Sequence, residues 1–345
     1  VSVVRQKKRV TPLAGTILLA IAVVVGVSVW VLTDPKSTTA DAVRTGGLAG
    51  ASVVALYALW LNDRRRKVEE ARQEIERGRH ELESFRAERD LERVADERFA
   101  KSIELLGHEA EQVRVGAMHA LAGLARGRPE YTQTVLDIVC SYLRRPFDLE
   151  DGAPSERVVR LNAQQVLTGL LPDRDATESY DLDLTGAALS RFDLSGKRIG
   201  ELTLREATLG RSTILESAHI TGSCWLTRAT LQGPLEMAGA RVDGRAWFSG
   251  TTLKQAADLE RVTFGGDVAF SATFQATMSL RDARFEAALD LRNATFRHHA
   301  DLRVAGEPSE VRFGDTRVGT GKDVQLPEGW TLEEERDGGF VIERG

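Results

Sequence analysis

The chain has 345 residues, with 46 basic and 51 acidic side chains and a formal net charge of −5. That balance is not the signature of a general nucleic-acid binder, and a mean hydropathy of −0.23 excludes a protein embedded wholly in a membrane. The two cysteines, Cys140 and Cys224, provide neither a disulfide framework nor a zinc site alone, and suit a reducing compartment. Aromatic residues make up 6% of the chain, which fits repeated aliphatic packing better than one large aromatic core.

The first predicted element is a membrane span. Residues 13–32 (LAGTILLAIAVVVGVSVWVL) are twenty without a charge, about 30 Å of helix, the thickness of a hydrocarbon core. A second apolar stretch, residues 46–61, has sixteen. It is close to the lower limit for a span, and a helix lying in the interface is the alternative. Its small residues Gly46, Gly47, Gly50, Ala51 and Ser52 suit close packing against the first helix. Arg5, Lys7, Lys8 and Arg9 precede the first span and Arg64, Arg65, Arg66 and Lys67 follow the second. The loop 33–45 carries only Lys36 and Arg44, offset by Asp34 and Asp41. The positive-inside rule therefore predicts a multi-pass protein of the inner (plasma) membrane with both termini in the cytoplasm.

Residues 64–107 lack proline and mix Glu with Arg. Val68, Ile75 and Leu82 recur every seventh residue, with Ala71 and Phe85 as weaker partners and Gly78 at a seam position. Both a dimeric coiled coil and a long solvated helix fit, and a homo-oligomer is left open. Three amphipathic stripes follow: Phe99, Ile103, Leu106; Val113, Ala117, Leu121, Leu124; and Val135, Ile138, Val139, Tyr142, with breaks at Gly107-His108 and Gly127-Arg128-Pro129. They predict a HEAT-like helical region, with one more helix at 158–171. His108 and His119 have no acidic or cysteine ligand at suitable spacing, so no metal and no cofactor is expected.

Internal repetition dominates the second half. Leu184, Leu189, Leu194, Ile199, Leu204, Leu209 and Ile214 recur every fifth residue; two positions before each stands Leu182, Ala187, Phe192, Leu202, Ala207 or Ser212, with Lys197 as a misfit. After Ile214 the spacing alternates between six and five. One series is Ile220, Leu231, Val242, Leu253, Phe264, then Phe274, Phe285, Phe296. The other is Leu226, Met237, Phe248, Leu259, Phe270, then Leu280, Leu291, Leu302, with one residue lost after Phe270. Five residues turn a helix by roughly 500°, so an α-helix cannot hold such a stripe. Short extended steps separated by corners, stacked coil on coil, do fit. This register places Thr230, Thr252, Thr273 and Thr295 on one outer face and Arg241, Thr263 and Arg284 on the opposite one.

The segments DLDLTGAALSRFDLSG and ARFEAALDLRNATF resemble the pentapeptide-repeat family, whose pattern is A-(D/N)-L-x-x. The resemblance covers residues 181–304 and implies a right-handed quadrilateral β-helix of about six coils. The whole layout is similar to that of membrane-anchored pentapeptide-repeat proteins of actinobacteria, a resemblance that implies no particular activity. The fold class is thus a membrane-anchored α + β solenoid. The domains expected are a cytoplasmic N-terminus and transmembrane hairpin (1–61), a charged helical connector (62–95), a HEAT-like region with the N-terminal cap (96–175), the β-helix (176–304) and a hairpin cap (305–345) around Asp337-Gly338-Gly339.

These features point to a membrane-tethered cytoplasmic scaffold that binds a protein partner and is not an enzyme. Arg241, Thr263 and Arg284 form the candidate partner-binding face, a solvated face being the alternative. Neither a nucleic acid nor a small-molecule ligand is expected, since no pocket is evident and the coils are filled. Some members of the resembled family imitate duplex DNA to bind topoisomerases, but residues 177–304 hold sixteen acidic and fifteen basic residues, too balanced for mimicry. A β-helix enzyme acting on a saccharide would need a carboxylate cluster. Glu236, Asp258, Glu260, Asp282 and Glu286 are instead interspersed with arginines. Gly319-Thr320-Gly321-Lys322 fails as a phosphate loop, because Thr316 stands at the first glycine and Asp323 after the lysine.

Overall fold

The computed structural model describes residues 12–33, 39–319, 324–334 and 340–344. The chain divides into two compact units between Arg93 and Val94.

In the first unit the charge-free stretch forms α1 (Pro12–Leu32), and α2 (Thr39–Leu106) is one helix of 68 residues. Helix α2 starts seven residues before the expected second span. Its portion Val43–Leu106 contains a stretch long and apolar enough to cross a membrane by length and composition, while Ile17–Leu32 is a shorter apolar helix. Among the described residues one candidate span is thus present where two were expected. The basic cluster Arg5–Arg9 and the loop residues Asp34 and Lys36 lie outside the described residues. Of the small residues, Gly46 and Gly50 are buried, and a Cβ there would run into Ser28 Oγ and Val24 Cγ2 of α1 respectively. Gly47, Ala51 and Ser52 are exposed. The two glycines, four apart, therefore form the helix contact, as small residues do in apolar hairpins.

In the second unit α3 (Glu111–Gly127), α4 (Thr132–Leu143) and α5 (Pro154–Leu170) pack on one another through Met118, Leu121, Leu136, Val139, Val159 and Leu167. The stripe Phe99–Ile103–Leu106 is the end of α2 rather than a helix of its own. Its Phe99 ring meets Tyr131 at 5.5 Å, and the Tyr131 hydroxyl donates to Asp96 Oδ1 at 2.6 Å. His108 helps turn the chain into α3, its Nδ1 accepting the Ala110 N–H at 3.0 Å.

From Leu182 the chain winds into a β-solenoid. Short parallel strands pair with the strand one coil away, Leu182 with Leu202, Thr252 with Thr273 and Thr208 with Thr230, so one coil takes 20–22 residues, each stacked at about 4.8 Å. Seven strands from Leu182–Asp183 to Glu310–Arg312 share one sheet, giving six turns. Leu226, Leu231, Met237 and Val242 successively face inward from the four sides of one coil, and all are fully buried. Corners recur where the chain takes a left-handed residue, among them Gly186, Glu206, Arg228, Gly239 and Arg261, each followed by a small or β-branched inward residue. The repeated geometry explains the Asp of the repeat: Asp183 Oδ1 accepts the Thr185 N–H at 3.1 Å and Asp193 Oδ1 that of Ser195 at 2.9 Å, closing the turn.

Three details of the register differ from expectation. The strand Thr208–Ile214 carries one extra residue opposite Leu189–Arg191, a bulge. Thr213 and Leu215 therefore face inward while Ser212 and Ile214 are half-buried, and six-residue spacing begins at Leu209 instead of Ile214. Lys197 does not point into a closed core, because no complete coil lies beneath it. Its backbone bridges Asp173 and its ammonium reaches Asp173 Oδ1 at 2.6 Å. Finally, the ladder does not stop at Val304. Glu310–Arg312, Arg317–Val318 and Val324–Gln325 extend three of the faces in parallel, with Val311, Thr316 and Val318 at 22-residue offsets from Leu289, Ala294 and Phe296.

The ends are covered. Helix α5 lies on the first coils, where Thr168 Oγ1 donates to Asp193 O at 2.8 Å. At the other end Phe340–Arg344 pairs antiparallel with both Arg317–Val318 and Trp330–Glu334, burying Ile342. The hairpin tip Asp337-Gly338-Gly339 lies outside the described residues.

Candidate interaction surface

A solid interior leaves the outer side chains to carry recognition. Alternation in each two-residue strand sends one residue in and its neighbour out. The outward neighbours stack in register up each face.

The expected threonine ladder is present: Thr208, Thr230, Thr252, Thr273 and Thr295 align, with Arg317 above them. The opposite face aligns Arg198, His219, Arg241, Thr263 and Arg284. There Arg241 is already engaged, its Nε donating to Asp243 Oδ1 at 2.5 Å and its Nη1 to Glu286 Oε1 at 3.4 Å. Because the Arg198 guanidinium, always a donor, lies 2.9 Å from His219 Nδ1, the His219 proton sits on Nε2 and is donated to Asp243 Oδ2 at 2.7 Å. Burial alone would raise the Asp243 carboxyl, but the hydrogen bonds from His219 and Arg241 hold it below its ordinary range. Arg284 makes no ion pair among the described residues.

Two tryptophans that the inward periodicity passes over stand on a third face. Trp225 and Trp247 occupy the outward positions beside buried Cys224 and Ala246, one coil apart. Their rings meet edge to face at 5.9 Å; Arg205 lies over Trp225 at 4.5 Å and Arg245 over Trp247 at 6.0 Å. Trp225 Nε1 donates to Glu201 Oε1 at 2.9 Å. Half-buried tryptophans flanked by arginines have the composition of binding hot spots. The signal was available as two tryptophans 22 residues apart, each directly after an inward residue.

The carboxylates do not converge. Glu236 and Asp258 align on the fourth face, Asp282 occupies a left-handed corner, and Glu286 reaches the arginine face. Other carboxylates on the column are neutralised by the arginine two residues on. Arg292 Nε donates to Asp290 Oδ1 at 2.9 Å, and Arg303 holds Asp301 through Nε–Oδ1 at 2.8 Å and Nη2–Oδ2 at 2.5 Å. Arg312 forks onto Glu310 in the same way. Among the described residues no three His, Cys, Asp or Glu side chains gather as a metal site. Thr316 faces inward, its hydroxyl donating to Leu291 O at 2.9 Å, while residues 320–323 of the phosphate-loop look-alike lie outside the described residues.

A cleft of about 360 Å³, absent from the expected picture, opens where α5 meets the first coils, lined by Phe147, Arg157, Arg160, Gln164, Arg191 and Arg211 among others. Arg160 is buried beside it, donating from Nη1 to Arg145 O at 3.2 Å and from Nη2 to the Leu143 and Ala188 carbonyls. It thus welds the end of α4 to the solenoid. Guanidinium groups stay protonated at neutral pH, and Glu150 is the only carboxylate among the described lining residues.

The Arg303 fork has a pH consequence. It holds the Asp301 carboxyl below the ordinary carboxylate range, against the opposite push of burial. A folded value below the unfolded one of about 3.9 stabilises the fold above that pH, and the gain is lost as pH falls through the folded value. Asp301→Asn should therefore lower the melting temperature at pH 7, with the deficit shrinking as wild type and variant are compared toward pH 2. A deficit independent of pH would assign the loss to packing alone.

Residues 215–263 and 248–295 match the family model described as pentapeptide repeats (9 copies). No curated protein and no solved structure matches the chain.

Proposed function

We propose that the chain is a non-catalytic scaffold for protein–protein interaction, tethered at the cytoplasmic face of the plasma membrane through its N-terminal helices. The observation that carries this reading is the Trp225–Trp247 pair with Arg205 and Arg245, presented outward on a column whose interior is filled. A rigid stack of coils holds such side chains at fixed spacing and so reduces the ordering cost of binding. The partner is a protein rather than a nucleic acid or small molecule. The tether is supported by the charge-free stretch of α1, the apolar start of α2, the basic residues flanking them, and the resemblance of the layout to that of membrane-anchored pentapeptide-repeat proteins of actinobacteria. The face of Arg241, Thr263 and Arg284 is the secondary contact, with Arg284 as its available cation.

Quantitative capture with the full chain from native membranes tests the proposal. Trp225→Ala with Trp247→Ala should reduce recovery of a specific partner at least tenfold, and Arg241→Glu with Arg284→Glu by a smaller factor. Equal recovery of every protein by wild type and both variants would overturn it. For the tether, Ser37→Cys should be labelled from outside intact cells, and labelling only after lysis would refute the orientation.

A further inference from the structure

The stretch of α2 that leaves the apolar segment carries a seam with no partner among the described residues. Val68, Ile75, Leu82 and Phe85 are 54%, 64%, 55% and 51% exposed. In heptad terms Leu61, Val68, Ile75 and Leu82 occupy successive a positions, and Ala71, Gly78 and Phe85 successive d positions. The seam is bounded by Arg64, whose guanidinium folds over Trp60 at 5.3 Å, and by Arg89, which folds over Phe85 at 4.6 Å.

The charges beside the seam are sorted by position. Glu74 and Glu81 stand at g positions, and Arg65, Arg72, Arg79 and Arg86 at e positions. All are exposed, and none of them makes an ion pair among the described residues. We infer that this segment pairs with the same segment of a second copy as a parallel, in-register two-stranded coiled coil. In that arrangement each g residue faces the e residue of the following heptad across the seam. Glu74 then meets Arg79 of the second copy and Glu81 meets Arg86, and the two-fold axis doubles both pairs. An antiparallel pairing would set Glu against Glu and Arg against Arg. A single g residue runs against the pattern: Lys67 would face Arg72, but its ammonium is held within its own helix by Asp63 Oδ2 at 2.8 Å. At Gly78 an added Cβ meets nothing within 4 Å, so the close approach of two chains there is unobstructed. Parallel pairing is also the orientation that a shared membrane would impose, although the inference rests on the heptad charges and not on the tether.

Disulfide trapping of the full chain in native membranes tests this, since the endogenous Cys140 and Cys224 are buried. Ala71→Cys, Gly78→Cys and Phe85→Cys, made singly, should each form the homotypic cross-link under mild oxidant. His80→Cys, on the outer f position, should cross-link at least fivefold less. Trapping at only one of the three d positions would mean antiparallel pairing and overturn the proposal, as would equal trapping at position 80. Adding Arg79→Glu and Arg86→Glu to the Gly78→Cys chain should cut the cross-link at least fivefold. Adding Glu74→Arg and Glu81→Arg as well should restore it. Failure of that restoration would remove the charge register as its cause. None of these changes touches the faces of the column, so partner capture and dimer trapping fail independently.

Discussion

Replacing Phe270 with alanine should destabilise the column by about 3–5 kcal/mol, the range for deleting a fully buried aromatic ring. The reason is where the ring lies. It is completely buried and meets Phe248 of the coil below at 4.8 Å, and Phe264 and Phe274 of the two neighbouring faces at 6.2 Å each. The coil is one residue short at this point: Phe274 follows Phe270 by four positions instead of five, and the Ala272 N–H donates back to Phe270 O at 2.5 Å. A tight corner pulls the walls inward and a large ring fills what remains. Backbone ladders above and below are fixed at strand spacing, so they cannot collapse into the hole. For a unit of this size the melting temperature should fall by on the order of 10 °C. Stability resides in contacts between neighbouring coils. Hydrogen exchange should therefore accelerate first in the strands Ala246–Trp247, Val268–Ala269 and Ala288–Asp290. A loss below about 1 kcal/mol would mean that the ring is not close-packed, and the solid column would have to be abandoned.

What could be read from the chain in advance followed from how strictly each element repeats. The inward residues between Ile220 and Leu302 are legible because a buried position tolerates only apolar or small side chains and recurs every five or six residues. The one-residue bulge opposite Leu189–Arg191 is not legible, since Ile214 and Leu215 are both aliphatic and either satisfies the pattern locally. The last turn is hidden for a different reason. Its face at residues 305–309 is an irregular corner with Gly306 and Pro308, which interrupts the alternation although Val311, Thr316 and Val318 keep the 22-residue offset. Outward chemistry is harder still. Trp225 and Trp247 gain their meaning only when successive coils are laid over one another, because the backbone sets no requirement on what points to solvent. For the same reason Arg241 read as an available cation, whereas the stacked coils bring Asp243 and Glu286 to it. The cleft beside Arg160 arises from packing between α5 and the solenoid, a contact between distant segments with no local signature. In the N-terminal unit composition marks an apolar hairpin, but only the geometry of the helix contact selects Gly46 and Gly50 over their small neighbours.

The corner between the arginine and tryptophan faces gives the second large effect. Gly200, Gly222, Gly244 and Gly266 stack there, and the N–H of each of the last three donates to the carbonyl of the glycine one coil below, at 2.8, 3.0 and 3.2 Å in turn. A Cβ on Gly244 would stand 2.6 Å from Gly222 O, 2.7 Å from its carbonyl carbon and 2.9 Å from Ser223 N. These are backbone atoms committed to the ladder, so no rotamer change relieves the clash. The coils would have to separate, breaking the hydrogen bonds on both sides of the corner. Gly244→Val should therefore cost roughly 3 kcal/mol, the upper end of overpacking penalties, with Gly244→Ala less damaging but of the same sign. Glycine itself is not the cause, and a second site separates the two effects. In α3 a Cβ on Gly123 meets nothing within 4 Å, and Gly123→Ala should stabilise the protein by roughly 0.5–1 kcal/mol, as expected for a helix interior. Thermal melts of the two alanine variants should thus move in opposite directions from wild type. If Gly244→Val melted with the wild type, the coils could not be in backbone contact at this corner, and the fixed spacing that holds Trp225 one coil from Trp247 would lose its physical basis.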